Sequence, residues 1–264
     1  KNFISNGVNF ELPFYFLLDV DNTVTKSKSI VSSNMISLLT ELSKIFKFSL
    51  VTGGEYSQAF QQIHPIISLT EYLFCENGTV VYKDNNITNK ILLKDYIGDS
   101  HNNILINSIL KYLSQLELPI KRGTFIEYRS GLINISPMGR NCSLEEREIF
   151  DTYNQEHLVL KKLKTHLEEI IEKEKIDLTV TYGGKISLDI YPKSWNKSLS
   201  LNYLDHKKFN IVFFGDKIKE EGNDLAVAVD ERVTGYFKVE NNYHTEEIIK
   251  GLVESICQYM KCVE

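Results

Sequence analysis

The absences in this sequence of 264 residues narrow the field first. No apolar run approaches the ~20 residues a membrane-spanning helix needs. The start Lys1-Asn2-Phe3-Ile4 lacks the charged-then-apolar pattern of a secretory signal. The chain is therefore expected in the cytoplasm, with no membrane partner. Four cysteines (Cys75, Cys142, Cys257, Cys262) lack CxxC spacing and nearby histidines. They fit free thiols in a reducing compartment better than a zinc site or a disulfide framework. The six histidines show no metal spacing. Positive charge is not in excess: 30 Lys and Arg stand against 35 Asp and Glu, a formal net charge of -5. That balance argues against a general nucleic-acid binder. Internal repeats, low-complexity tracts and Pro/Gly-rich linkers are all missing. The composition that remains, 42% hydrophobic and 25% charged, is ordinary for a globular protein with a sizeable core.

The chain is organised around Phe14-Tyr-Phe-Leu-Leu-Asp19-Val-Asp21-Asn-Thr23-Val-Thr25. Its apolar opening is too short for a helix and suits a strand buried on both faces. Ser32 or Ser33 then caps a helix whose apolar positions are Ile36, Leu39, Leu42 and Ile45 or Phe46. Phe48–Val51 predicts a second buried strand ending in Thr52-Gly53-Gly54, followed by a helix over Glu55–Ile63. Tyr72–Cys75 predicts a third strand, ending in Glu76-Asn77-Gly78. This is the rhythm of a doubly wound parallel sheet, whose ligands sit beyond the carboxyl ends of the strands.

A hairpin at Val80–Tyr82 with a turn at 84–86 changes that rhythm. A helix over Ser100–Leu116 follows, then an antiparallel hairpin formed by Thr124–Arg129 and Leu132–Ile135. Ser143-Leu-Glu-Glu146 is a capping box that starts a helix. One long amphipathic stretch is expected over Gln155–Lys175, and an alternating strand over Lys185–Ile190. This antiparallel α+β segment reads as an insertion into the first domain. The parallel character returns at Phe209–Phe214, which leads into Asp216 and Gly222-Asn223-Asp224, and a helix over Thr245–Met260 closes the chain. The expectation is an α/β protein. Its Rossmann-like core with a parallel sheet takes residues 1–88 and 193–264, and an inserted α+β domain with an antiparallel sheet takes 89–192.

Asp19, Asp21 and Asp216 at strand tips would repel one another in a dry cleft. A hard divalent cation such as Mg²⁺ removes that repulsion. Thr52 offers a hydroxyl, Gly53-Gly54 offer backbone N–H groups, and Lys197 offers a point charge for a phosphate. The set resembles a phosphoryl-transfer site, with one Asp as nucleophile and another, two residues on, as acid/base.

Asp19-Val-Asp21-x-Thr23, the strand-end Thr52, the distal Lys197 and Gly215-Asp216…Gly222-Asn223-Asp224 resemble the four motifs of the haloacid dehalogenase superfamily. More narrowly, Arg122–Arg129, Asn134–Arg147 and Gly183–Asp189 are similar to the cap of eukaryotic phosphomannomutases, and Phe213–Lys217 and Gly235-Tyr236 continue the likeness. The resemblance implies interconversion of mannose 6-phosphate and mannose 1-phosphate for GDP-mannose supply, with Mg²⁺ and a hexose 1,6-bisphosphate activator. It implies Asp19 as nucleophile and Asp21 as acid/base, with Thr52 and Lys197 completing the catalytic group. Asp19, the Asp21 carbonyl and Asp216 would hold the metal. Arg129, Arg140 and Arg147 would grip the phosphate that is not being transferred, and Ser187 and Asp189 would face that phosphate and the sugar. It also implies a homodimer formed through the cap.

Some positions depart from the family pattern. Asn22 stands where the family usually has Gly, and Asn tolerates left-handed backbone. Lys28 stands where an Arg approaches substrate, so a bidentate contact becomes a point charge. Asn196 replaces an Asp, and Lys185 an uncharged residue. Asp230 is kept at the family's second cation site, but Val233 stands where Thr is common. Two other readings fit the same motifs: a sugar-phosphate phosphatase on this scaffold, and an inactive sugar-phosphate-binding protein.

Overall fold

The computed structural model describes residues 3–220 and 222–263, with side chains through residue 255. Cys257 and Cys262, read above as free thiols, lie outside the described side chains, while Cys75 and Cys142 are free and buried. The chain begins with β1 (Phe3–Ser5), β2 (Phe14–Asp19), α1 (Ser33–Ser43), β3 (Lys47–Val51), α2 (Tyr56–Ile63) and β4 (Leu73–Cys75). A hairpin of β5 (Val80–Lys83) and β6 (Asn86–Lys90) follows. The middle comprises α3 (Leu93–Gln115), β7 (Ile126–Tyr128), β8 (Ile133–Ile135), α4 (Leu144–His157), α5 (Val159–Lys173), β9 (Leu178–Tyr182) and β10 (Leu188–Pro192). The last part is β11 (Asn210–Gly215), α6 (Leu225–Ala228), β12 (Val233–Lys238) and α7 (Asn242–Val263). These elements form two compact units. The core unit is the chain up to Lys90 together with the chain from Trp195 onward, and the cap unit is Ile91–Ser194.

The core unit holds an eight-stranded sheet in the order β1-β12-β11-β2-β3-β4-β5-β6. β12, β11, β2, β3 and β4 run parallel, and β1, β5 and β6 pair antiparallel at the two edges. On one face, Phe16, Leu18, Val212 and Phe214 join Met35, Leu39 and Leu42 of α1 and Ile249 of α7. On the other, Tyr15, Leu17, Ile211 and Phe213 pack with Leu201 and Val227. Burial on both faces is why β2 and β11 have no polar alternation. The α1 helix starts where Ser32 accepts the Met35 N–H at 3.0 Å, and Met35, rather than Ile36, is its first fully buried side chain. Trp195 is buried, in keeping with a packing role.

The cap unit carries an antiparallel sheet in the order β7-β8-β10-β9. Ile133, Ile135, Leu178, Val180, Leu188 and Ile190 are buried, with Leu163, Leu167 and Ile171 of α5 and Leu105 and Ile109 of α3. Glu127, Asn134, Asp189 and Thr181 lie in register across the four strands and so share the other face.

Several expectations are corrected. The amphipathic stretch at 155–175 is two helices, because Leu158 adopts a left-handed conformation (φ 54°). Asn154 stabilises that break twice: its carbonyl accepts the Leu158 N–H and its side chain accepts the Leu160 N–H, both at 2.8 Å. The helix expected over Ser100–Leu116 is present as the part of α3 that follows Gly98, whose φ of 71° suits glycine. What the sequence did not show is the short helical segment from Leu93 that precedes this break. The strand expected over 185–190 starts at Leu188, and β1, β9 and β12 went unanticipated. No described helix is long and apolar enough to cross a membrane.

Candidate active site

The site is built at the carboxyl ends of the parallel strands of the core unit. Asp19, the last residue of β2, is 3% exposed. Its Oδ1 meets Lys197 Nζ at 2.5 Å, and its Oδ2 accepts a long bond of 3.4 Å from Thr23 Oγ1. Lys197 begins a 3₁₀ turn spanning Lys197–Tyr203, which the Asn196 side chain caps by accepting the Ser198 N–H at 2.9 Å. Asn196, a departure from the family pattern, thus serves as a competent cap. The same ammonium bonds Asp224 Oδ1 at 2.7 Å, and Asp224 Oδ2 accepts the Lys217 N–H at 2.9 Å. Asp224 is fully buried.

Oxygens of Asp19, Asp216 and Asp224 lie within 4.8 Å of one another. Asp216 Oδ2 accepts from Asn22 Nδ2 at 3.3 Å, while its buried Oδ1 has no partner among the described residues. Burial pushes the Asp19 carboxyl up to about 7, against the pull of Lys197 and with Asp224 and Asp216 adding to the rise. Burial also raises the Asp216 carboxyl, with Asn22 opposing and Asp224 reinforcing the shift. Burial opposes the Lys197 charge, yet Asp19 and Asp224 outweigh it and hold the ammonium above its usual pKa. The cluster thus concentrates more negative than positive charge in a dry place. Such a donor set suits a hard cation.

Asp21 sits beside this cluster, half-buried. Its Oδ1 accepts two N–H groups at 3.1 Å each, from Gln62 Nε2 and from the Lys28 backbone. Asn22 and Lys28 both have left-handed backbone (φ 59° and 57°). Lys28 is exposed and, with Gln62 and His64, lines a cleft of about 800 Å³. Thr52 follows β3 and is buried, its Oγ1 accepting the Gly54 N–H at 3.0 Å. That N–H, considered above as a phosphate donor, is turned back onto Thr52. Both oxygens of Asp230 are taken by Arg232, at 2.7 Å from Nε and from Nη2.

In the cap unit, Arg129 Nη2 and Arg140 Nε reach the same Glu127 oxygen at 2.9 and 2.8 Å. The Arg129 hydrogen bond, helped by both positive charges and opposed by partial burial, lowers the Glu127 pKa. Arg140 Nη1 also donates to Asn134 Oδ1 at 2.7 Å, and Asn134 Nδ2 donates to Asp189 Oδ1 at 2.6 Å. Asn134, read from sequence as a hairpin residue, is therefore the link between Arg140 and Asp189. A Cβ on Gly183 would meet Asp189 Oδ2 at 2.8 Å and Ser187 Oγ at 2.9 Å, so those two side chains converge there. Arg147, on the first turn of α4, has a buried Nε with no acceptor among the described residues. The exposed Lys185 pairs with Glu148 and Asp151 of α4.

The structure gathers Asp19, Lys197 and Asp216 in the core unit, with Asp21 alongside. It joins Arg129, Arg140 and Asp189 in the cap unit. The sequence assigned no role to Asp224 or Gln62. Asp224 was visible in Gly222-Asn223-Asp224, whereas Gln62 looks like an ordinary polar-face residue.

Residues 35–255 match the model of the eukaryotic phosphomannomutase family. Phosphomannomutase 2 of Dictyostelium discoideum is 37% identical over 235 residues, covering 88% of this chain and 94% of that protein. The phosphomannomutase of Spinacia oleracea is 39% identical over 224 residues, covering 83% of this chain and 88% of that protein. Among solved structures, an IMP-bound, N-terminally truncated IMP-nucleotidase of Plasmodium falciparum superposes with a TM-score of 0.59 at 14% identity. That match covers 93% of this chain and 69% of the nucleotidase and concerns the fold alone. With a family match that spans both units and relatives aligned along most of their length, the chain belongs to the eukaryotic phosphomannomutase family.

Proposed function

We propose that the chain interconverts mannose 6-phosphate and mannose 1-phosphate through a phosphorylated Asp19, supplying mannose 1-phosphate for GDP-mannose synthesis. One observation carries this reading above a phosphatase on the same scaffold. The family match runs through the cap unit as well as the core, over residues 35–255. A binding protein without activity is disfavoured by the intact set of Asp19, Asp21, Thr52, Lys197 and Asp216.

Asp19, Asp216 and the Asp21 carbonyl would hold Mg²⁺; the unpartnered Asp216 Oδ1 and the all-oxygen donor set fit such an ion. Both oxygens of Asp224 are already engaged by Lys197 and the Lys217 N–H, so its part is to fix that lysine. When bound, Mg²⁺ supplies positive charge to the phosphoryl oxygens.

In the first transfer, a carboxylate oxygen of Asp19 forms a bond to phosphorus as the bond between phosphorus and the sugar oxygen breaks. Asp21 gives its proton to that leaving oxygen. In the return transfer a sugar hydroxyl forms the new bond to phosphorus and passes its proton to Asp21 as the Asp19–phosphorus bond breaks. A hexose 1,6-bisphosphate loads Asp19 initially. The same compound class is the intermediate that must turn end over end before the second phosphoryl group is taken. Thr52 and Lys197 place donors and charge beside the transferring group.

Arg129, Arg140 and Arg147 grip the phosphate that is not transferred, with Ser187 and Asp189 facing it and the sugar. The unpaired, buried Arg147 Nε supports that assignment, since such a donor gains from an anion. Lys28 contributes a point charge toward substrate. A cytoplasmic homodimer through the cap completes the proposal. Exposed Leu144, Ile149, Leu158 and Tyr182 of the cap unit are apolar surface such an interface would cover.

The test is substitution at the two acids. Asp19→Asn should abolish turnover and the phosphoenzyme, because an amide does not attack phosphorus. Asp21→Asn should keep the fold but lose about 10²–10⁴-fold in rate. Intact-mass detection of a phosphoenzyme in Asp19→Asn would remove Asp19 from the nucleophile role.

A further inference from the structure

We propose that Gln62 is the positioning residue of the acid/base Asp21, and that with the Lys28 backbone N–H it decides which carboxyl oxygen handles the proton. The inference rests on the role of Asp21 in the proposed mutase reaction. Gln62 is 3% exposed, unusual for an amide in the last turn of a short helix. Its backbone carbonyl accepts the Val31 N–H at 2.8 Å, tying α2 to the loop that follows Asp21. Its side-chain amide reaches across that loop to Asp21 Oδ1 at 3.1 Å. The Lys28 N–H meets the same oxygen at 3.1 Å, from a residue held at φ 57°. Two N–H groups from separate segments thus converge on one oxygen.

The consequence is chemical. An oxygen that accepts two N–H bonds is poorly placed to carry a proton. The proton therefore belongs on Oδ2, for which no donor is found among the described residues. Protonated Asp21 then carries its O–H at Oδ2, and ionised Asp21 uses the same oxygen as the base. The Asp21 carboxylate is not among the clustered Asp19, Asp216 and Asp224 oxygens, and its hydrogen bonds within the described residues come from Gln62 and the Lys28 backbone. Without Gln62, the carboxyl would keep only the Lys28 N–H and could swing part-way about χ2, carrying Oδ2 off the direction that two N–H bonds to Oδ1 fix. Misplacement of a reacting group by about 1 Å costs on the order of 10²-fold in rate.

The test uses the full chain with Mg²⁺ and compares two reactions, hexose phosphate interconversion with a hexose 1,6-bisphosphate present and phosphoryl transfer from 4-nitrophenyl phosphate without it. In the interconversion the sugar leaves phosphorus as an alkoxide that needs the Asp21 proton. 4-Nitrophenyl phosphate leaves as a stable phenolate that does not. Wild type, Gln62→Met and Gln62→Glu are compared; Gln62→Met keeps the length without the donor, and Gln62→Glu keeps the shape without the N–H. The expected result in both is a loss of about 10²-fold in kcat for hexose phosphate interconversion. KM should stay near wild type, and the first-turnover burst of 4-nitrophenolate should be retained. Equal losses in both reactions would assign Gln62 to the fold, and unchanged kcat in a folded variant would remove it from the mechanism; either overturns the inference. If Gln62→Met does not fold, Gln62→Glu and the mild Gln62→Asn decide by the same ratio. Absence of mutase turnover in the wild type would instead count against the proposed function itself.

Discussion

Lys197 is a lysine with 2% exposure held between two carboxylates, and the charge balance around it governs the behaviour of the site. Desolvating each ion costs several kcal/mol, and one ammonium offsets only one of the three clustered acids. Asp19 accordingly has its carboxyl raised from the ordinary 3.8 to about 7. A raised folded-state pKa means that the native protein binds this proton more tightly than the unfolded chain does. The associated stability is complete below 3.8 and is lost as pH rises through about 7. The Mg²⁺ ion proposed for this site would bind the ionised carboxylates, so its stabilising effect should grow across the same interval. Thermal unfolding with and without millimolar Mg²⁺ should therefore show a larger rise in Tm at about pH 8 than at about pH 5. Equal increments at both pH values would contradict a metal held by Asp19 and Asp216. Asp19, Thr52 and Asp216 were legible because each directly follows or ends an apolar strand. Gln62 was not, because its partner lies 41 residues away and helical periodicity alone places it among polar neighbours.

Among the elements, β2 and β11 were the most readable, since burial on both faces leaves an unbroken apolar run. The harder cases have identifiable causes. β12 contains Gly235, which reads as a turn signal, yet a Cβ there would collide with the Phe3 ring of β1. The glycine makes room for an edge strand rather than ending one. The α4–α5 break was hidden because Leu158 is apolar and keeps the helical pattern, while the groups that make the turn belong to Asn154. Asn154→Ala should remove the side-chain cap on α5 and lower stability by about 1 kcal/mol, read as a shift of the urea midpoint with kcat unchanged. An unmoved midpoint would mean that packing alone holds the turn.

At the scale of the whole molecule, the fold does not choose between mutase and phosphohydrolase. The fold shared with a nucleotidase at 14% identity illustrates the point. What separates the two is retention of a bisphosphate long enough to reverse it. Charge-assisted bonds of the kind Arg140 and Arg147 can make contribute about 1.5–3 kcal/mol each. Arg140→Ala or Arg147→Ala should thus depress mutase turnover far more than hydrolysis of a small phosphate ester lacking a second phosphate. An equal fall in both activities would assign these arginines to structure, a role already partly visible in the Arg140 bonds to Glu127 and Asn134.

The most direct measurement is a coupled assay of mannose 1-phosphate conversion by the full chain with Mg²⁺, with and without a hexose 1,6-bisphosphate, monitoring mannose 6-phosphate and inorganic phosphate together. The expected result is mannose 6-phosphate formation accelerated by the bisphosphate, with little phosphate released. Stoichiometric phosphate release without mannose 6-phosphate would contradict the mutase assignment.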